Sequence, residues 1–238
     1  MIRVFCDFDG TLTIEDVGNR LFGRFAGEAA ESIVREYHAG RMNARECLRL
    51  ECAALGVIRP EAIREFALQF PLDPFAGELV RFCSSKGIAL TILSDGLDLY
   101  VDPILAKANL GDLPRFVNHG SFVETKDGTT LVPSFPYRDE HCDLCGNCKR
   151  NHIVTRSADD DLVVYVGDGI SDRCPVRYAD VVFAKHDLIQ YCQEQNISYF
   201  EFRHLGDVRD RLERIAARKK IKQRREAVMA RRDVFIGE

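Results

Sequence analysis

The 238-residue sequence predicts an α/β protein, a Rossmann-like parallel sheet flanked by helices, with an inserted helical segment and a small β-hairpin insert. Three observations predict it. Short apolar runs at residues 2–6, 88–93, 162–166 and 181–183 read as buried strands, and the first three end in polar, glycine-punctuated loops. Stretches of helical periodicity lie between them, as parallel strand connections require. A long helical region, residues 16–70, separates the first run from the second.

The first strand passes straight into Asp7-Phe8-Asp9-Gly10-Thr11, where glycine turns the chain. Leu21, Phe22 and Phe25, then Ile33, Val34 and Tyr37, then Cys47, Leu48, Leu50, Cys52 and Leu55 recur at helical spacing. A further helix is expected over 61–70 with Pro60 near its first turn, and Pro71-Leu72-Asp73-Pro74 breaks the run. The expected organisation is a discontinuous core, residues 1–13 and 75–238, and a helical cap, residues 14–74. From Gly77 a helix leads to the strand at 88–93 and a polar turn at Ser94-Asp95-Gly96. Residues 121–126 and 129–132 flank Asp127-Gly128, a two-residue hairpin signal. The strand at 162–166 ends in Gly167-Asp168-Gly169. Near the end, Val208, Leu212 and Ile215 keep helical spacing to about Lys219. The first half of this tail is expected to pack on the core and the second half to be a solvated helix, with an acidic partner or nucleic acid as the sharper alternative.

Hydrophobic residues at 46% and charged residues at 29% exclude disorder over most of the length. No stretch approaches the ~20 uncharged apolar residues of a membrane span, and residues 1–7 lack a secretion pattern. Nine cysteines are then expected as reduced thiols in a cytoplasmic protein. The net charge of −4 hides ten Lys or Arg against two Glu in residues 211–232, a local +8, so the remainder sums to −12. That acidic body does not favour nucleic acid as the main partner. The expected partner is a small phosphorylated metabolite, and a homodimer is left open.

In open parallel sheets ligands sit beyond the C-terminal strand ends, and three strands deliver Asp7 to Thr11, Ser94 to Gly96, and Gly167 to Asp172 to that edge. Asp7 and Asp9 are two apart, so on an extended backbone their side chains share a side. With Asp168 they form a repelling acidic cluster that a hard cation, Mg²⁺, would stabilise beside a substrate phosphate. Asp7 can then attack phosphorus, and Asp9 can protonate the leaving oxygen and later deprotonate water. Lys149 is the candidate positive charge on the phosphoryl oxygens, and the Ser94 hydroxyl with nearby backbone N–H groups can hold another. Thr11, Asp95 and Gly96 belong to the same phosphate-binding edge, and Asp16 follows just beyond it. As a mere acidic turn, Asp-x-Asp-Gly-Thr would arise by chance with probability on the order of 10⁻³ in a chain this long.

These loops resemble the signature motifs of the haloacid dehalogenase (HAD) superfamily of phosphatases, over nearly the whole chain to about Leu212. The insert resembles the cap of its phosphoserine-phosphatase-like branch. The resemblance implies a HAD-like core, Asp7 as nucleophile, Asp9 as acid/base, and Ser94 and Lys149 as phosphate ligands. It implies Mg²⁺ held by Asp7, the Asp9 carbonyl and Asp168, with Asp172 supporting the metal shell or orienting Lys149. Residues 142–149 and 166–169 further resemble two phosphatase families of that branch. One acts on the methionine-salvage enol phosphate 2-hydroxy-3-keto-5-methylthiopentenyl-1-phosphate, the other on phosphoethanolamine or phosphocholine. Phosphoserine phosphatase fits less well, because Asp16 and Glu51 stand where that enzyme has a glutamate and a carboxylate-gripping arginine. Facing the cleft together, they would favour an amine or a hydroxyl-bearing substrate; a solvated helix face is the expected place of Glu51. Phosphoryl transfer to an acceptor alcohol is the alternative reaction. A non-catalytic binding role is opposed by Asp7, Asp9, Lys149 and Asp168.

Cys142, Cys145 and Cys148 recur at two-residue gaps, with His141 and His152 beside them. Closed zinc sites usually draw ligands from two separated segments, whereas these crowd one loop. Reduced thiols beside Lys149 are the expected state and structural zinc the alternative. Cys6, Cys47, Cys52, Cys83, Cys174 and Cys192 are expected as buried small hydrophobes. His38, His119, His186 and His204 receive no role.

Overall fold

The computed structural model describes residues 1–140, 142, 144–218 and 222–236. Its strands are β1 (Ile2–Cys6), β2 (Ala89–Leu97), β3 (Arg115–Thr125), β4 (Gly128–Ser134), β5 (Leu162–Gly167), β6 (Val181–Ala184) and β7 (Phe200–Glu201). Among the described residues they form one sheet, ordered β4-β3-β2-β1-β5-β6-β7. Every neighbouring pair is parallel except β3 and β4. β1 lies between β2 and β5, so both its faces need cover. Val4 and Cys6 enter one core and Phe5 the other, together with Tyr165 and Ile153. All six residues of β5 are buried, which explains its unbroken apolar run.

Helices α1 (Val17–Ala26), α2 (Glu28–His38), α3 (Ala44–Ala54) and α4 (Pro60–Ala67) lie between β1 and α5 (Ala76–Ser85). The two ends of this insert meet. Thr13 bridges Leu72, and the N–H of Asp73 donates to the Leu12 carbonyl at 2.8 Å. The remaining helices are α6 (Asp98–Lys107), α7 (Lys149–Arg156), α8 (Asp187–Glu194), α9 (Leu205–Ala216) and α10 (Arg225–Ile236).

Three expectations are corrected. β2 continues through Ser94-Asp95-Gly96 to Leu97, with a register shift against β3 between Leu93 and Leu97. The expected hairpin is present and extends the sheet: β3 first pairs with β2, then runs past the edge with β4. Its turn is Lys126-Asp127, because Thr125 pairs with Gly128, whose φ of 133° opens β4. The hairpin also meets the insert, where the N–H of Ile58 donates to the Thr129 carbonyl at 2.8 Å.

The third correction concerns the basic tail; Lys219 itself lies outside the described residues. α10 packs on the core instead of standing in solvent. Ala227 is fully buried, and Arg231 donates to the Tyr178 carbonyl at 2.6 Å and pairs with buried Asp180 at 3.2 Å. Arg224 donates to the carbonyls of Val176 and Arg177, both at 2.8 Å. The fading apolar stripe misled because α10 docks through cations and backbone carbonyls. Truncation after Arg218 strips Asp180 of its cation, and the expected loss is about 3 kcal/mol, a Tm lower by roughly 6–12 °C in a thermal melt.

Candidate active site

β1 delivers Asp7 at its C-terminal end, where the Asp7 N–H still donates to Val166 of β5 at 2.9 Å. The chain then turns sharply through Asp9 and Gly10, which has φ of 70°. A Cβ at Gly10 would stand 2.5 Å from Asp168 Oδ2, so glycine lets this turn close against the β5 loop. Thr11 is fully buried, and its hydroxyl donates to Asp168 Oδ1 at 2.8 Å. Its side chain therefore aims a carboxylate, a different place from the phosphate edge the sequence suggested.

The Asp9 carboxylate turns toward the insert. Its Oδ1 accepts from the N–H groups of Val17 and Gly18, at 3.0 and 3.2 Å, at the start of α1. Its Oδ2 accepts from the hydroxyls of Ser94 at 3.2 Å and Tyr100 at 3.0 Å. Burial, reinforced by Asp16, still pushes its pKa up to about 7, against these hydrogen bonds. Gly96 approaches closely, since a Cβ there would meet the Tyr100 hydroxyl at 2.0 Å and Asp9 Oδ2 at 2.8 Å. Its N–H donates to Ser94 Oγ at 2.9 Å, fixing that hydroxyl.

Lys149, the first residue of α7, is buried, and its ammonium donates to Asp7 Oδ1 at 2.5 Å and to Ser171 Oγ and Asp172 Oδ1 at 2.8 Å each. Burial works against the charge, but Asp172 and Asp7 outweigh it and hold the pKa well above the usual lysine value. Asp7 is nevertheless also raised: burial, then Asp172 and Asp168, outweigh one ammonium shared between two carboxylates. Burial and Asp172 lift Asp168 to about 6.

Asp7, Asp168 and Asp172 offer oxygens all within 4.8 Å of one another. Asp172, however, is spoken for. Its Oδ1 also accepts from Tyr165 at 2.6 Å, and its Oδ2 accepts the N–H groups of Asp168 at 2.8 Å and Gly169 at 3.1 Å. It anchors Lys149 and the β5 loop, leaving Asp7 and Asp168 as carboxylates directed at a cation. An all-oxygen donor set with two raised carboxylates fits a hard divalent ion.

A cleft of 390 Å³ opens above these groups, lined by Asp7, Asp9, Ser94, Asp95 and Asp168 from the core and by Asp16, Phe22, Tyr37, His38, Leu48 and Glu51 from the insert. Asp95 is held from below: its carbonyl accepts Asn118 Nδ2 and its Oδ1 accepts the N–H of Asn147, both at 2.7 Å. Asp16 is exposed at the rim and caps α1, accepting the N–H of Asn19 at 2.7 Å. Glu51 is only 7% exposed, and burial followed by Asp16 lifts it to about 8. The solvated face expected for Glu51 is therefore wrong, because α3 turns it inward against Asp16.

Sequence reasoning missed several lining groups. Tyr100 reaches the cleft from α6, whose approach no motif marks, while Glu51 reaches it from α3 in the cleft-facing arrangement that stood as the alternative to a solvated face. His38 lines it beside Asp16, and His186 Nδ1 lies 3.4 Å from Asp168 Oδ2. Only the position of His186 after a strand could have signalled it. Of the cysteine loop, His141 lies outside the described residues. His152 stacks on Phe116 and its Nε2 bonds Asn147 Oδ1 at 2.7 Å, away from the thiols. Cys174 is half-buried rather than buried.

The haloacid dehalogenase-like hydrolase family model matches residues 4–175. The 2-hydroxy-3-keto-5-methylthiopentenyl-1-phosphate phosphatase of Brevibacillus brevis is 29% identical over 212 residues, 86% of this chain and 92% of that protein. The enzyme of the same name from Bacillus mycoides is 31% identical over 218 residues, 87% of this chain and 94% of that one. A solved phospho-aspartyl intermediate analogue of phosphoserine phosphatase superposes with a TM-score of 0.67 at 20% identity, covering 90% of this chain and 98% of that one. With its acidic strand-end cluster and inserted helices, the chain belongs to the haloacid dehalogenase-like hydrolases, among their phosphatases.

Proposed function

We propose that this phosphomonoesterase works with Mg²⁺ through a phosphorylated Asp7, on a small metabolite whose leaving group lies under a cap formed by residues 14–74. The observation that carries the reading is Asp7 at the end of β1, held by Lys149 Nζ at 2.5 Å and within 4.8 Å of an Asp168 oxygen. Asp7, Asp168 and the main-chain carbonyl of Asp9 would hold the ion, which supplies positive charge beside the phosphate. Asp7 attacks phosphorus and takes up the phosphoryl group as the ester oxygen departs. Asp9 gives that oxygen its proton, then removes one from the water that hydrolyses the acyl phosphate and regenerates the Asp7 carboxylate. Lys149 neutralises phosphoryl oxygens, the Ser94 hydroxyl donates to another, and Asp95 and Gly96 shape that edge. Nine free cysteines support a reducing, cytoplasmic setting.

Asp9 must be protonated to serve as the acid, and its raised pKa of about 7 keeps that form present near neutrality. Because the acid form is the active one, turnover of alkyl phosphates is expected to fall about tenfold per pH unit above that value. An activated aryl phosphate, whose leaving group needs no proton, should lack this limb. Parallel pH–rate profiles check both.

The cap wall of Asp16 and Glu51 offers no cation to a carboxylate and suits an amine or hydroxyl, while Phe22, Val34 and Leu48 suit an apolar portion. The methylthiopentenyl phosphate named for the relatives is therefore the first substrate to test, with phosphoethanolamine, phosphocholine and phosphoserine in the same magnesium-supplemented panel. The expected result is kcat/KM for phosphoserine at least ~10-fold below the best carboxylate-free substrate, with Glu51→Arg narrowing the gap. A wild-type preference for phosphoserine would sink this reading of the cap.

A further inference from the structure

We propose that Cys142, Cys145, Cys148 and Cys174 form a four-thiolate site for zinc, separate from the oxygen-lined magnesium position. The case against zinc from sequence was that three thiols on one loop lack a second segment. The fold supplies one. Cys148 caps α7, and Cys174 caps the short 3₁₀ turn Pro175–Tyr178, which packs against α7. The two segments are also tied through the residues beside these cysteines, since Lys149 Nζ donates to Ser171 Oγ and Asp172 Oδ1 at 2.8 Å each.

Each thiol lies within electrostatic reach of others. Cys145 feels the charge of Cys174, Cys148 and Cys142, and Cys174 interacts in the same way with Cys142 and Cys148. Ordinary core packing does not call for four sulfurs on two packed segments, when Cys6, Cys52 and Cys83 are spread singly through the apolar core. A neutral S–H is a weak donor, and Cys148 Sγ lies 3.8 Å from Asp139 Oδ2 and also accepts from the Asn151 N–H. The sulfurs are a looser set than the carboxylate trio. Zinc bonds of about 2.3 Å would draw them inward, each thiol losing its proton to solvent as the ion enters. The resulting site has a net charge of −2, and the Arg150 guanidinium, paired with Asp139, lies within electrostatic reach of both Cys148 and Cys174. Thiolates select zinc while carboxylates select magnesium, so the two positions do not compete for one ion. Bound there, zinc would clamp the segments that carry Lys149 and Asp172.

The test uses the full-length protein, purified under reducing conditions without chelator. Metal analysis is expected to find about one zinc per chain. Cobalt(II) exchanged into the protein should give thiolate-to-metal charge transfer in the near ultraviolet and tetrahedral absorption in the red. Excess magnesium and Asp168→Asn should leave both signals unchanged. Cys174→Ser and Cys145→Ser should each weaken zinc retention at least ~10-fold against a competing chelator, while Cys192→Ser, in the other core, retains it. The wild-type cobalt spectrum decides the matter even where a serine variant fails to fold. No zinc uptake with no charge-transfer band would overturn the proposal, as would full zinc retention in Cys174→Ser or zinc lost only in Asp168→Asn.

Discussion

Asp7→Asn is expected to lower turnover by at least ~10⁴-fold while leaving a folded protein. The amide keeps the shape of the side chain but cannot add to phosphorus and leave again as a carboxylate. Its effect on stability has the opposite sign. Asp7 is raised well above an ordinary aspartate by burial, then by Asp172, with Lys149 opposing and Asp168 adding. A group raised in the folded state favours folding below its unfolded pKa of about 4, and that advantage is lost as pH rises through the folded value. At neutral pH the carboxylate is thus a cost that asparagine removes, while Lys149 keeps Asp172 at 2.8 Å. Without magnesium, the Tm of the variant should equal or exceed that of wild type. Magnesium should then raise Tm less in the variant than in wild type, because one of the directed carboxylates is gone. Turnover assays with thermal melts at several magnesium concentrations check all three. Turnover within tenfold of wild type would remove Asp7 from the nucleophile's place.

The part of this site that could be read from sequence is the part that follows strand ends. Asp7, Ser94 and Asp168 sit where a parallel sheet opens, so order along the chain and a run of apolar residues were enough to bring them together. Thr11 shares that loop, yet its hydroxyl goes to Asp168, because a side chain's direction within a turn depends on Gly10 and the neighbouring loop. Glu51 and Tyr100 depend on how α3 and α6 approach the edge, an angle set by side-chain packing between elements far apart in sequence. A glutamate on an amphipathic helix looks like surface until the partner helix is known. The tail failed for a related reason: a run of cations reads as solvated, but Arg231 meets Asp180 across 51 residues and buries both. Charge pairs at that separation leave no periodic trace. Cys174 reads as a buried hydrophobe for the same reason, since Cys142, Asp139 and Arg150, whose charges it feels, lie far from it in sequence.

Lys149→Met is the substitution expected to damage activity and stability together. Methionine fills much of the buried aliphatic volume, so the loss is of charge rather than packing. The lysine side chain is 2% exposed and those of Asp7 and Asp172 6% and 0%, so removing the ammonium leaves two carboxylates without their shared cation. The expected cost is about 3–5 kcal/mol, the usual result of breaking a buried ion pair on one side. Asp7, already raised, would take up a proton in response, which lowers the concentration of its ionised form at neutral pH. Phosphoryl oxygens would also lose their fixed positive charge, a loss worth ~10²–10³-fold in kcat. Magnesium bound between Asp7 and Asp168 should recover part of the stability, so the Tm gap between Lys149→Met and wild type narrows as magnesium rises. It should not recover kcat, because a cation on one side of the phosphate does not replace the ammonium on another. Lys149→Arg separates charge from geometry. The guanidinium keeps the charge but cannot reach Asp7, Ser171 and Asp172 from one atom, so Tm should return further than kcat. Equal recovery of both would mean that charge alone, without the three-way contact, is what the position requires.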